Sequence, residues 1–278
     1  MSIRMIRMIC GSGLLLALCG CSGSSQGGVT GAISKGTAPW LTVNLATRHV
    51  EYFAEAPSLT RSAMRAAPTT AADELVFRRV AVGGRDVFVG VYHVTQAQWS
   101  LIAGSQPWLD VDDGICSHAT ADGPTQPAYN LAHLTVVMAL SGFTLPSGAQ
   151  LDLPTDEEWT AACGVDSGWW WGPTATAQEL AANAVVRESV VTFDRLTAGN
   201  GMDTGGPLPV GSRAPNALGL YDMLGNLWQW TKAGTSVRGG SWHNSAQTCR
   251  AEVRAEASAG VTTTVDHALI GARVVLRP

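Results

Sequence analysis

Between Arg238 and Arg254 the chain reads RGGSWHNSAQTCRAEVR. The stretch holds a thiol (Cys249), an imidazole (His243) and an amide (Asn244). A thiolate here could attack an electrophile or ligate a soft metal. Without a partner, Cys249 is a small buried hydrophobe. The stretch also reads as a binding surface, with Trp242, His243, Asn244 and Thr248, and His267 further on, as anchors among small polar residues. Gly239 and Gly240 would supply backbone conformations closed to other residues. A second candidate set is Asn226 and Gln229 in GNLWQW, whose amide oxygens could ligate structural calcium weakly. Otherwise Asn226 closes a turn and Gln229 hydrogen-bonds the loop. The Asp-rich DVDDG near residue 110 lacks the full spacing of a calcium loop. His93, His118 and His133 are isolated, Ser241 has no base at a recognisable spacing, and no CxxC or paired-His zinc pattern occurs.

The elements that must position these residues are short. WLTVNLATRHVEYF (Trp40–Phe53) alternates and reads as a strand or hairpin. Two strands flank Gly83-Gly84, and Thr95 with Gln98 three residues later forms a capping box that starts a helix. LAHLTVVMALSGF has helical periodicity and ends at Gly142. Thr155 caps a further helix, with Glu158 completing the box and Pro154 expected in the first turn. A short helix is expected near TAQELAANAV, a strand into a sharp turn at VRGGSW, and a final strand at IGARVVLRP. Glycine is 31 of 278 residues, above the usual ~7%. Ten tryptophans are the means to pin so loop-rich a chain.

The first residues read as an address rather than as fold. Arg4 and Arg7 precede an apolar stretch from Ile9 to Leu18 that is too short for a permanent span. Leu18-Cys19-Gly20-Cys21 resembles a bacterial lipobox with Cys21 as the modified residue; an ordinary cleaved secretory signal is the alternative. A lipid on Cys21 would anchor the chain to a membrane without spanning it, at the outer membrane where one exists. The expected organisation is a signal peptide over 1–20, a Gly/Ser-rich tether over 21–39, an accessory strand segment over 40–74 and the main domain over 75–278. Charged residues make up 14% against the usual ~25%, with net charge −4 and lysine only at 35 and 232. No basic run exists, so nucleic acid is not an expected partner. Outside the leader the cysteines are Cys116, Cys163 and Cys249, which allows one bridge or three thiols.

Five blocks in order, YHVTQAQWSLIAG, LDLPTDEEWTAAC, APNALGLYDMLGNLWQW, VRGGSW and IGARVV, resemble the formylglycine-generating enzyme (sulfatase-modifying factor) domain family. The resemblance covers roughly residues 75–277. It implies a single mixed α+β domain related to the C-type lectin fold, with much irregular structure. Catalytic members carry two cysteines, five positions apart, that bind copper(I) and activate oxygen to oxidise a substrate cysteine. Here the first position falls on Asn244 and the second on Cys249, and an amide with one thiol is a poor copper(I) set. In calcium-binding members the GNLWQW region supplies an asparagine, carbonyls and a glutamate; here Gln229 replaces the acid. The resulting expectation is an exported, lipid-anchored, non-catalytic binding or accessory module. Its ligand surface would lie in loops 241–268, and its partner would be an unidentified protein or small molecule at the cell envelope. The alternative is an oxidoreductase with an altered metal site assembled from His243, Cys249 and His267. A structural lipoprotein of the envelope is a third reading.

Overall fold

The computed structural model describes residues 34–57, 72–111, 122–146, 148–172, 176–190, 206–256 and 267–277. The leader with Cys21, together with Cys116, His118, the greater part of DVDDG and residues 257–266, lies outside them.

Alternating apolar residues in the first hundred positions build four of the six strands of the larger sheet. Strands β1 (Trp40–Asn44) and β2 (Val50–Phe53) form one hairpin. Strands β3 (Glu74–Val82) and β4 (Arg85–Gly90) form another, turned by Gly83 and Gly84 at positive φ. The late strand β10 (Val275–Arg277) pairs with β4, and β5 (Gln150–Asp152) pairs with β10. The order is β2-β1-β3-β4-β10-β5, antiparallel throughout. Residues 40–53, read from sequence as accessory, are two of the six strands, and Leu41 and Val43 are fully buried.

Successive side chains of a strand point to opposite faces, and both faces of this sheet are covered. Phe77, Phe88 and Leu276 enter one core; Val80, Val87, Val89 and Val275 enter the other. Helices lie over these faces. Helix α1 (Gln96–Ala103) starts at the Thr95–Gln98 capping box and ends at Gly104 in the left-handed region. A single 3-10 turn follows at Pro107–Asp110, then α2 (His133–Gly142). Helix α3 (Asp156–Cys163) has the expected box between Thr155 and Glu158. Pro154 precedes the cap instead of lying in the first turn, and its carbonyl accepts from the Lys232 N–H. Helix α4 (Ala177–Asn183) and the four-residue α5 (Arg187–Val190) complete the set.

The second sheet carries the candidate site. Strands β6 (Trp228–Trp230), β7 (Ser236–Arg238), β8 (Arg254–Glu256) and β9 (Ile270–Gly271) lie in the order β8-β7-β6-β9, with β6 and β9 parallel. Tryptophans fasten the irregular connections to this frame. Trp99, Trp159, Trp230 and Trp242 are fully buried, and the Trp230 indole donates to the Leu131 carbonyl at 2.7 Å. Such rings bury roughly 150–250 Å² each, which is how loops without ladders are held.

Candidate functional site

The stretch that raised the chemical question is the loop joining β7 to β8, whose ends meet in the Arg238–Arg254 pair. Its entry needs glycine twice. Gly239 and Gly240 have φ of 93° and 76°. A Cβ on Gly239 would lie 2.6 Å from the Met223 carbonyl, and one on Gly240 would lie 2.2 Å from Cys249 Sγ. Cys249 is thus folded back against the loop's own entrance, with no exposed surface. Its thiol donates to the Ser241 carbonyl at 3.7 Å. Burial, with the negative Glu188 as a lesser cause, pushes its pKa far above the ordinary thiol value. Cys163 is also buried and is pushed up to about 12, chiefly by burial. Both are free thiols, so the bridge between them that the count allowed is not formed.

Asn244 stands where the resemblance places the first copper-binding thiol, and its amide oxygen is already committed. It accepts from the Ser241 N–H at 3.1 Å and from the Ser241 hydroxyl at 2.6 Å. Trp242 is a correction to the sequence reading. Its ring is fully buried in the core, so it supports the loop from beneath and presents nothing to a ligand. His243 packs edge-on against it, with ring centroids 5.3 Å apart. His243, Asn244 and Thr248 are half-buried and Gln247 is exposed. His267 Nδ1 accepts from the Leu269 N–H at 3.1 Å. His243, Cys249 and His267 do not converge: among the described residues no group of three His, Cys, Asp or Glu could hold a metal.

Four neighbours frame this loop that sequence reasoning had not singled out for it. Glu188 accepts from the Ala246 N–H at 3.0 Å, and the Arg187 N–H donates to the Asn244 carbonyl at 3.0 Å. The Trp169 indole donates to the Ala246 carbonyl at 3.2 Å, and the Gly168 N–H donates to Glu252 at 2.7 Å. Gly168 and Trp169 open a run of three tryptophans, Trp169–Trp171, that is visible in the sequence, whereas nothing there marks Glu188.

The second candidate set is a hydrogen-bonded knot. Asn226, at φ 63°, accepts from the Leu208 N–H at 3.1 Å and donates to the Leu208 carbonyl at 3.0 Å. Gln229 Oε1 accepts from the Trp159 indole at 3.0 Å and from Arg273 Nε at 2.9 Å. Its amide nitrogen donates to the carbonyls of Asp222 and Met223. Arg273 is fully buried and also donates to Gly90 O at 2.7 Å and Tyr221 O at 2.6 Å. Burial lowers its pKa to about 10, which leaves it cationic at neutral pH. A calcium ion does not fit: the Gln229 oxygen already faces a guanidinium, and the Asn226 side-chain oxygen is taken by the Leu208 N–H. This corrects the calcium expectation at Asn226 and Gln229. Arg238 is also structural, ion-paired with Asp156, donating to the Ala251 carbonyl at 2.6 Å and lying 4.3 Å over the Trp159 ring.

The buried charges set an acid limit. His93 is fully buried, and its Nε2 donates to the Leu227 carbonyl at 3.1 Å. Burial, then the nearby Arg273 charge, holds its pKa well below 6.5; burial lowers His133 as well. The unfolded chain therefore binds more protons than the native one below pH 6.5, and stability falls as pH drops through that value. A second loss follows from Glu158. Its burial would raise its pKa, but hydrogen bonds from Arg277, the Thr155 N–H and Arg85 hold it at about 2 against an ordinary 4.5. Its contribution is present above pH 4.5 and disappears as pH falls toward 2. Urea midpoints measured from pH 8 to 3 should fall in two stages, and His93→Gln should remove much of the upper one; a flat profile from pH 8 to 5 would contradict this.

The comparisons agree with this frame. The chain is similar to variable protein 1 of Treponema denticola, at 18% identity over 74% of this chain and 96% of that one, with a TM-score of 0.53. It is also similar to PvdO from Pseudomonas aeruginosa (18% identity, 74% and 83% covered, TM-score 0.49) and to CarF (22% identity, 69% and 86% covered, TM-score 0.44). No curated protein matches. The likeness to the Treponema protein shows the fold, a mixed α+β domain of the formylglycine-generating-enzyme-like, C-type-lectin-like kind. The family description of the sulfatase-modifying factor enzyme 1-like domain matches residues 63–278. That match takes in both sheets from β3 onward, the β7–β8 loop and the Asn226–Gln229 knot, and the chain belongs to this family.

Proposed function

We propose that the chain is an exported, lipid-anchored, non-catalytic binding or accessory module built on the formylglycine-generating-enzyme-like scaffold. One observation carries this reading. Where a copper(I) site would need two thiolates, there is one buried neutral thiol, Cys249, and one amide whose oxygen is held by Ser241. Copper(I) prefers paired soft ligands, and burial that raises the pKa of a lone thiol disfavours its thiolate. What the loop offers to solvent is small and polar. His243, Asn244 and Thr248, with His267 across the second sheet, are the contact candidates, and the ligand would be an envelope protein or a small molecule.

The test is copper(I) titration against a competing chelator, with the natural chain beside Asn244→Cys. Asn244 and Cys249 both address Ser241, one through its N–H and hydroxyl and the other through its carbonyl. A sulfur at 244 would therefore enter the neighbourhood of Cys249. The expected result is no stoichiometric binding by the natural chain and a gain in Asn244→Cys. Tight one-to-one binding by the natural chain, lost in Cys249→Ser, would overturn the reading and make the protein an oxidase candidate.

A further inference from the structure

We propose that the groove between helix α2 and the edge strand β5 binds an aliphatic carboxylic acid, with the acyl chain along its apolar floor and the carboxylate on Lys232. The site shares no residue with the β7–β8 loop, so it goes beyond the binding reading above and stands or falls apart from it.

The groove holds about 460 Å³. Small-ligand sites usually span about 300–1,000 Å³. It opens where the chain leaves α2 at Gly142 and turns back into β5, with Thr144 paired to Gln150 across the turn. Leu140, Phe143, Leu145, Ala149 and Leu151 form its floor, and all five belong to the buried core of the larger sheet. Ser141, Thr144, Gln150 and Lys232 stand exposed at its rim, with Asp152 half-buried beside them. An apolar floor under a few convergent polar groups is the usual composition of a small-molecule site.

Charge selects the head group. The chain has only two lysines, and one of them, Lys232, stands at this rim. Its ammonium donates to Asp152 Oδ2 at 2.6 Å, which leaves two of its three N–H groups for a ligand. The same Asp152 oxygen accepts from Arg277 Nε at 3.0 Å, so that carboxylate is already shared by two cations. Arg277 and Arg85 in turn hold Glu158. Arg48 lies 3.6 Å over the Phe143 ring and donates to the Thr144 carbonyl at 2.9 Å, with no carboxylate paired to it among the described residues. Lys232, Arg277, Arg85 and Arg48 thus stand against Asp152 and Glu158, four cations to two carboxylates, in a chain whose net charge is −4. Such a local surplus draws an anionic head and repels a cationic one. The exposed head contact is screened and modest, so the acyl chain supplies most of the affinity. An extended peptide fits less well. β5 ends the sheet, but its outer side is already met at Gln150 by Thr144, which interrupts the ladder that an added strand needs. A hydrocarbon chain needs no such partner.

The test titrates the full chain with Cys21→Ser, which needs no detergent, with butanoate and octanoate in a calorimeter. The expected result is saturable one-to-one binding of octanoate, about tenfold or more tighter than butanoate, because four more methylenes leave water. Octylammonium should not compete. Lys232→Gln should weaken octanoate about threefold to fivefold. The same change should leave 1-octanol, which has the chain without the charge, within about 1.5-fold. Ser141→Trp sets a bulky ring on the rim and should weaken both ligands about tenfold, as expected when about two methylenes lose their contact. Both variants should keep the natural melting curve, since both side chains are exposed. Absence of saturation below the micelle concentration, octylammonium binding as tight as octanoate, or indifference of octanoate to either variant would overturn the proposal. So would tighter binding of the tripeptide Leu-Val-Leu than of octanoate, which would assign the groove to a peptide terminus.

Discussion

Arg273→Met should lower the folding stability by about 4 kcal/mol. The methionine keeps most of the volume and removes every donor. Gly90 O and Tyr221 O lose the N–H groups they now receive, and Gln229 Oε1 keeps only the Trp159 indole. A buried polar group left without a partner costs about 1–3 kcal/mol. The three lie on β4, on the loop before β6 and on β6 itself, so the guanidinium ties the two sheets together. Lysine should rescue only part of the loss, because one ammonium cannot reproduce a planar fork aimed at three oxygens. Urea denaturation of the natural chain, Arg273→Met and Arg273→Lys would read the order directly. A loss under 1 kcal/mol in the methionine variant would mean that water replaces the guanidinium and that this knot is not what joins the sheets.

Gly240→Ala should cost about 3 kcal/mol, and the reason is local. The residue lies at φ 76°, a left-handed conformation that costs an L side chain roughly 1–2 kcal/mol. The new methyl would also begin 2.2 Å from Cys249 Sγ and 3.0 Å from the Cys249 Cα. Overpacking of this kind adds about 1–3 kcal/mol. The two contributions separate in a double-mutant cycle. Cys249→Ala removes the sulfur and should recover about 1 kcal/mol or more of the Gly240→Ala loss, while the backbone strain stays. Additive effects would show that the loop swings Cys249 away when Gly240 is replaced. The thiol would then be mobile, and its inertness could no longer be argued from burial.

The parts of this protein that sequence alone determined are those whose causes lie within a few residues. The boxes Thr95–Gln98 and Thr155–Glu158 start α1 and α3 because an N-cap and its partner are three positions apart. Gly83-Gly84 turns β3 into β4, and Gly239-Gly240 opens the β7–β8 loop, because a left-handed backbone leaves its mark in glycine. Five ordered blocks were enough to point to the family, and the missing thiol at Asn244 was visible without coordinates. Pro154 was expected in the first turn but precedes the cap, because the helix begins only after Thr155.

Tertiary structure decided which of the chemically capable atoms remain free. Gln229 looked like a weak calcium ligand because its partners, Trp159 and Arg273, lie 70 and 44 residues away. Asn226 is closed by Leu208 across 18 residues, and the loop around Asn244 is held by Arg187, Glu188 and Trp169 from distant segments. Trp242 reads as a surface anchor in sequence because an aromatic residue serves equally as contact or as core, and only packing against other segments distinguishes the two. The exposure of Leu101, Leu134 and Met138 was hidden for the opposite reason: the periodicity of α1 and α2 announced helices with a buried side, but which apolar residues stay uncovered depends on what the rest of the chain lays over them. Local rules fix backbone conformation, whereas the commitment of a side-chain oxygen or the exposure of a leucine is a property of contacts made across the fold.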